Sequence, residues 1–506
     1  MAPVLPRVLL GTLVLVGALA CAERAHADDD VVDSVWTPPP AKAPTTPHYL
    51  RAVLEEGGLL VVGTIQYASA TANSQDWDLG YNWPGLRVKL TGEALRFDTN
   101  HFDTNMMTHP VAGTFYYIAA RGNRIGVFES FLFTAAASTL WEYVGEFREV
   151  ASVNDLVVTP ISGMVFGEAL TQLGMFFDRS KRTDVNELLG FVFAPSRSIH
   201  EALDGTADVR DAEQDALGLT RRVGHRFDLR FGVGMVDGDE RRFDGRFALH
   251  TEVVDVPHYN APGIMAESLS LSRVDVELAV VSGGLRDFQL DVLVAPLGYY
   301  AHALSRDRGV LAGQRFLFGG TVGFDYGLHA YPSTPVGGLD RIAGVHAGGV
   351  TAEYRVLGPR VRVRTALDVR PAFAAVRSGA LGGYLARGRA PDAVPTVTLD
   401  EGYYFAAGAV LAPTIELGVE RWTLGAQARF ESYWGIQGLD RRQAQMHDEV
   451  DLRDRRTMGR VYVSYTPIDA LELRITLERR TRDGDVAEVA ASRSEWALVS
   501  GAGVLF

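Results

Sequence analysis

From about Arg226 to Phe506 the chain alternates apolar and polar residues in stretches of about ten, each closed by a turn. In the clearest copy Arg360, Arg362, Arg364 and Arg370 fall on one face, and Val361, Val363, Leu367 and Val369 fall on the other. A period of two puts successive side chains on opposite sides of a strand, so each such strand has an oily and an ionic side. The pattern predicts twelve strands, at about 225–231, 242–254, 273–278, 287–292, 311–328, 341–356, 360–374, 403–418, 421–434, 456–466, 470–480 and 494–506.

So many two-faced strands predict a closed antiparallel transmembrane β-barrel, mainly β in class, with lipid outside and water inside. Only closure leaves no unpaired strand edge in hydrocarbon. A soluble sandwich also alternates, but twelve strands with arginine-rich faces would need more than one core. Short connections such as Leu357-Gly358-Pro359 and Thr466 to Asp469 belong to one rim, and the long stretches 376–400 and 435–451 to the other. Tyr299-Tyr300, Tyr403-Tyr404, Trp422 and Tyr433-Trp434 are expected at the membrane interface. The polar faces place Arg360, Arg362, Arg364, Arg370, Asp275 and Glu277 toward the lumen. Both signs occur there, so a salt-bridged lumen is favoured over an anion-selective ladder.

The N-terminus changes where such a barrel belongs. Arg7, an apolar core from Val8 to Ala20 and Ala25-His26-Ala27 make residues 1–27 a cleavable secretory signal. Cleavage before Cys21, as in a lipoprotein, is the weaker alternative, because Leu19 stands one position from the usual place. With the mature chain starting at about Asp28, Cys21 is lost and no cysteine is left. No apolar run of about 20 residues follows, so no committed spanning helix is expected. A net charge of −13 argues against nucleic acid as a partner. The terminal strand, ending on aromatic Phe506, resembles the assembly signal of outer-membrane barrels. That resemblance implies outer-membrane lipid and the barrel-assembly machinery as partners, in a Gram-negative envelope.

Residues 28–47 read as a proline-rich linker, 48–200 as a helical module, 201–224 as a polar linker and 225–506 as the barrel. Helix-like blocks cover 49–67, 127–147 and 161–177. Within the module stand Asn100, Asn105, His109-Pro110, Gly113, Tyr116-Tyr117, Ala120-Arg121, Ser138 to Tyr143, Glu146, Ser152, Asp155 to Pro160, Gly163 and Gly167-Glu168. In that order and spacing, residues 97–168 resemble a bacterial family known as domain of unknown function 3943. The resemblance implies an envelope protein and no particular reaction.

Ser138, Glu142, Glu146 and Glu149 lie at helical spacings, so one face carries a hydroxyl and three carboxylates. Acids beside an apolar face must be paired, protonated, metal-bound or solvated. Arg121, His109 and Arg148 are the expected partners. Gly163 and Gly167 would admit a neighbouring helix and bring Glu168 to that contact. Asn154 and Asp155 read as caps. His109 with Glu142, Glu146 or Glu168 could act as acid and base on lipid or cell-wall material. The favoured reading is a buried polar network of Asn105, His109, Arg121, Ser138, Glu142, Glu146, Asp155 and Glu168, because no nucleophile elbow, paired-histidine helix or phosphate loop accompanies them. No cofactor or metal motif is present. A structural or transport role, with the helical module at the periplasmic mouth, leads the membrane-enzyme and envelope-scaffold alternatives.

Overall fold

A computed structural model describes residues 46–70, 79–80, 82–93, 95–206, 210–211, 214–215, 217–238, 241–256, 258–307, 310–330, 339–386, 397–436 and 451–505. The signal segment, Cys21, most of the proline-rich linker and Phe506 lie outside them.

Twelve antiparallel strands close into one barrel: β3 (Gly224–Asp237), β4 (Arg242–Asp255), β5 (Gly263–Val281), β6 (Gly284–Asp307), β7 (Val310–Ala330), β8 (Leu339–Leu357), β9 (Val361–Arg377), β10 (Tyr404–Val419), β11 (Trp422–Gly435), β12 (Leu452–Ile468), β13 (Leu471–Val486) and β14 (Val489–Leu505). Consecutive strands pair, and β14 meets β3 to close the ring. The strand ends that border the long connections, Ala330 and Leu339, Arg377 and Tyr404, and Gly435 and Leu452, all fall on one rim, as the turn pattern predicts. β5 and β6 run well past their predicted ends. Register shifts at Leu269/Leu271 and Val294/Leu297 break the two-residue period there, so the sequence pattern stops short of the strand.

Ahead of the barrel stand α1 (Tyr49–Ala70), α2 (Trp83–Leu90), α3 (His109–Gly122), α4 (Val127–Leu140), α5 (Val153–Arg179), α6 (Asp184–Phe193) and α7 (Pro195–Asp204). A two-residue parallel pair joins β1 (Leu95–Arg96) to β2 (Ala151–Ser152). π-helical turns at Thr104–Thr108 and Trp141–Gly145 flank α3 and α4. Contrary to the expectation of no spanning helix, α5 is long and apolar enough to cross a membrane. At 1.5 Å per residue its 27 residues cover about 40 Å. Thr159-Pro160, Ser162 and Thr171-Gln172 interrupt its apolar run, which is why the sequence hides it.

The module packs on the outside of the barrel. Asp275 pairs with Asp291 across β5 and β6, and ion pairs from this face cross the ring, so it faces the lumen. Its opposite face carries Val274, Val292, Phe324, Val345, Phe373 and Phe405, cross-strand partners or neighbours in turn. Those side chains form one core with Phe97, Phe102, Met106, Val158, Val165 and Ala169 of the module. Phe166 lies 4.9 Å, centroid to centroid, from Phe324. The start of α5 sits near Tyr403 at the long-loop rim. Its last turn, through Arg179–Asp255 at 3.0 Å and Phe176 against Phe227, reaches the opposite rim. These contacts run along the wall and do not fit the expected place at the periplasmic mouth.

α3 crosses α5 at Gly113 and Gly163, where an added Cβ on Gly163 would lie 2.5 Å from the Gly113 carbonyl oxygen. The close approach expected of Gly163 and Gly167 is therefore present, with Tyr117 packed on Gly167.

Candidate functional site

Two places concentrate polar chemistry: the barrel lumen and a buried cluster between α3, α5 and the turn after α4.

The lumen is crossed by ion pairs between strands that are not neighbours. Arg370 binds Asp291 at 2.9 and 3.0 Å, and Arg429 reaches Asp325 at 2.6 Å and also Asp291. Arg456 reaches Asp340 at 3.0 Å, Arg273 reaches Asp368 at 3.1 Å, and Arg460 spans to Glu277. Thirteen arginines and twelve carboxylates line a remaining space of about 410 Å³. Such balance neutralises the field an anion channel would need. Of the residues predicted to face inward, Arg364, Arg370, Asp275 and Glu277 do so, Asp275 bonding His250 at 2.6 Å. Arg360 lies in the turn before β9, and Arg362 bonds the Glu420 carbonyl at the rim. The strand begins one residue later than the pattern suggests.

Apolar clusters narrow both mouths. At the long-loop rim α8 (Leu381–Leu385) packs on Tyr404, Tyr433, Leu452 and Val486. At the other, Val256 and Tyr259 pack on Leu269, Leu293, Tyr300 and Leu317. Of the aromatics expected at the interface, Tyr299, Trp422 and Trp434 are exposed, whereas Tyr300, Tyr404 and Tyr433 are buried in these mouth clusters. Tyr403 is buried against the module, its hydroxyl accepting from Asn105 at 2.8 Å and donating to the Asn100 carbonyl. Strand-end position alone does not distinguish the two faces.

In the module, the candidate residues separate into two networks. Glu168 accepts from Tyr117 (2.8 Å), Arg121 (2.8 and 3.2 Å) and Gln172 (3.3 Å), and Gln172 also donates to Ser270 of β5 at 2.7 Å. This is a satisfied buried ion pair that ties α3, α5 and the barrel together. It lies 13 residues along α5 from Asp155, about 20 Å, so Glu168 shares no site with His109.

The second network gathers Asp98, His109, Ser138, Glu142, Glu146, Ser152, Asn154 and Asp155. Ser152, not Asn154 or Asp155, caps α5, its hydroxyl accepting from the Asp155 amide at 3.3 Å. That leaves the Asp155 carboxylate free to face the cluster, with Asn154 donating to it at 2.8 Å and His109 Nε2 3.4 Å away. Asn154 also accepts from the Asp98 amide at 2.8 Å, and Ser138 donates to the Asp155 carbonyl at 3.2 Å. The π-helical turn swings Glu142 inward, where Oε2 accepts from the Ser152 amide at 2.8 Å. Glu146 accepts from the Trp141 indole at 2.9 Å, and Glu149 from Tyr67 at 2.7 Å.

Lys89 is buried beside these acids, yet its ammonium donates to the Glu142 and Glu146 carbonyls. Among the described residues His109 makes an ion-pair contact with this group of acids, to Asp155. Glu142 Oε1 and Asp155 Oδ2 are buried without a hydrogen bond. Burial first and the Asp155 charge second hold the Asp98 carboxyl above its ordinary range. Burial and then Glu149 do the same for Glu146, while burial pulls Lys89 down. The sequence singled out His109, Glu142 and Asp155 but missed Asp98, Ser152, Asn154 and Lys89. Lys89 could have been noticed as one of only three lysines in the chain.

Residues 94–196 match the family model described as a domain of unknown function, DUF3943. The barrel is similar in fold to an outer membrane channel from Pseudomonas putida F1 (12% identity, 59% of this chain and 100% of that one, TM-score 0.25). It is likewise similar to the KdgM porin (14%, 55% and 98%, 0.22) and to the translocator domain of autotransporter NalP from Neisseria meningitidis (11%, 61% and 94%, 0.23). A comparison with curated proteins returns no match.

Proposed function

We propose that this is an outer-membrane protein whose barrel serves as a closed scaffold, holding the helical module beside it within the lipid. The observation that carries the reading is the burial of Val292, Val294, Phe324 and Val345, on the outward face of the barrel, under α5. On the other half of the wall the equivalent side chains, among them Phe231, Ile415, Trp422, Val461, Ile475 and Leu498, stand exposed, as lipid contacts require. The module continues that apolar surface. Leu50, Leu54 and Val62 of α1, Phe128 and Leu132 of α4, and Leu188 and Val192 of α6 are all exposed, and contiguous patches of that kind belong against lipid or a partner. Apolar clusters at both mouths and a bridged lumen support a structural role over passive transport.

The test is a cysteine at Leu132, the single thiol once the expected signal is removed, carrying an environment-sensitive fluorophore. In vesicles, lipids brominated on their acyl chains should quench it strongly and iodide hardly. Strong iodide quenching with no bromolipid effect would place the module in water. Planar bilayers should show no steady conductance from the full chain; a stable open channel would restore the transport reading.

A membrane-enzyme reading keeps one specific observation in its favour, the unpaired carboxylate oxygens of Glu142 and Asp155 beside His109. It predicts that His109→Ala preserves heat-modifiable migration yet changes envelope lipid or glycan composition.

A further inference from the structure

We propose that Asp98, His109 and Asp155 form a binding site for a divalent transition-metal cation of the Zn²⁺ or Mn²⁺ class. One ligand atom from each of the three lies within 4.8 Å of the others. His109 Nε2 and Asp155 Oδ1 are 3.4 Å apart, the separation that two bonds of about 2.1 Å make at a tetrahedral angle. The widest side need close by at most about 1.4 Å to reach the same separation, a movement that side-chain rotation supplies.

Three independent features point to a cation. Asp155 is 1% exposed and still keeps an oxygen without a hydrogen bond, and fully buried Glu142 does the same next to it. An acid in that condition must either hold its proton or be met by a cation, because a bare charge there costs several kcal/mol, on the order of the penalty for an uncompensated buried ion. The nearest ammonium, on Lys89, is committed to two main-chain carbonyls. Outer-shell donors already orient the ligands as metal sites require. Asn154 donates to Asp155 Oδ1, and the Asn100 amide donates to Asp98 Oδ1 at 2.8 Å.

One imidazole nitrogen with two carboxylates is an N/O donor set suited to Zn²⁺ or Mn²⁺. Asp98 and His109 are less buried than Asp155, with 12% of the His109 side chain exposed, so their side of the group lies nearest the surface. Held there, it would join the loop after β1, the start of α3 and the start of α5. This is consistent with the helix cap being left to Ser152.

The experiment uses the full chain, purified in detergent without chelator, stripped with EDTA and supplied with Zn²⁺ or Mn²⁺. Wild type should take up one equivalent, and the Mn²⁺ form should show pulsed-EPR coupling to one imidazole nitrogen. Asp98→Asn and His109→Gln should weaken binding at least about 100-fold, because loss of outer-shell partners alone costs 10–100-fold. The surface change Glu201→Gln should leave it unchanged. No stoichiometric metal in folded wild type overturns the site, as does Mn²⁺ bound without nitrogen coupling. Equal uptake by folded Asp98→Asn and His109→Gln overturns it too.

Discussion

Replacing Gly163 by alanine should loosen the helical module, although alanine is the better helix former. The new Cβ would stand 2.5, 2.6 and 2.9 Å from the carbonyl oxygen, carbonyl carbon and Cα of Gly113. That is about 1 Å short of an ordinary carbon contact, and the obstructing atoms are backbone, which cannot rotate aside. Overpacking of this sort costs about 1–3 kcal/mol, and the upper part of that range applies here. Helix propensity returns up to about 1 kcal/mol, leaving a net loss of about 2 kcal/mol, or about 30-fold in the opening equilibrium. The same substitution at Gly57 or Gly58 of α1, where an added Cβ meets nothing within 4 Å, should gain the propensity term alone. Amide exchange of α3 and α5 in the detergent-solubilised protein reads both effects. Protection equal to or greater than wild type in Gly163→Ala would refute a tight backbone crossing between these helices.

Arg429→Ala should remove a partner shared by Asp291, Asp325 and Glu431; Asp291 keeps Arg370 and Asp325 keeps His346, so the cost falls mainly on Glu431 and sits at the lower end of the about 3–5 kcal/mol of a broken buried pair, seen as a lower temperature of heat-modifiable unfolding, and an unchanged temperature would contradict the bridged lumen. Phe324→Ala removes a fully buried ring from the seam between wall and module and should cost about 3–5 kcal/mol, releasing the module to protease while the barrel stays resistant. Because burial raises the folded-state pKa of Glu146, the unfolded chain gives up that proton first as pH rises. Stability should therefore fall from the ordinary glutamate range upward until the folded group also ionises, and Glu146→Gln should flatten this slope in denaturant titrations at successive pH values.

The twelve strands were legible because a period of two survives in Arg360 to Arg370 and its counterparts whatever their partners. It fails at Leu269/Leu271 and Val294/Leu297, where one extra residue moves the following side chains to the other face. The twelve outward faces look alike in sequence, so nothing in Val292 or Phe324 announces that a helix rather than lipid covers them. In the module, the spacing of Ser138, Glu142 and Glu146 predicted a shared helix face. The helix instead gives way to a π-helical turn at Trp141, bringing Glu142 to Ser152 and leaving Glu146 with Trp141. Asp98 was invisible because its place in the cluster depends on a loop folding back on Asn154, a contact 56 residues distant. The lumen was partly readable from composition. No lysine follows Lys181, so every cation on the barrel strands is a guanidinium, suited to forked, permanently charged pairing.

The helices cover the wall obliquely, from β9 and β10 at the long-loop rim, across β5 to β8, to the first residues of β3 and last of β4 at the other, while the outward face of β11 to β14 stays exposed. A body afloat in a two-dimensional fluid with one shielded flank has a front and a back. It can meet another of its kind cleanly along the bare arc, but not all the way round. In a membrane such asymmetry would favour couples over extended arrays, with the uncovered face of β11 to β14 as the place to meet.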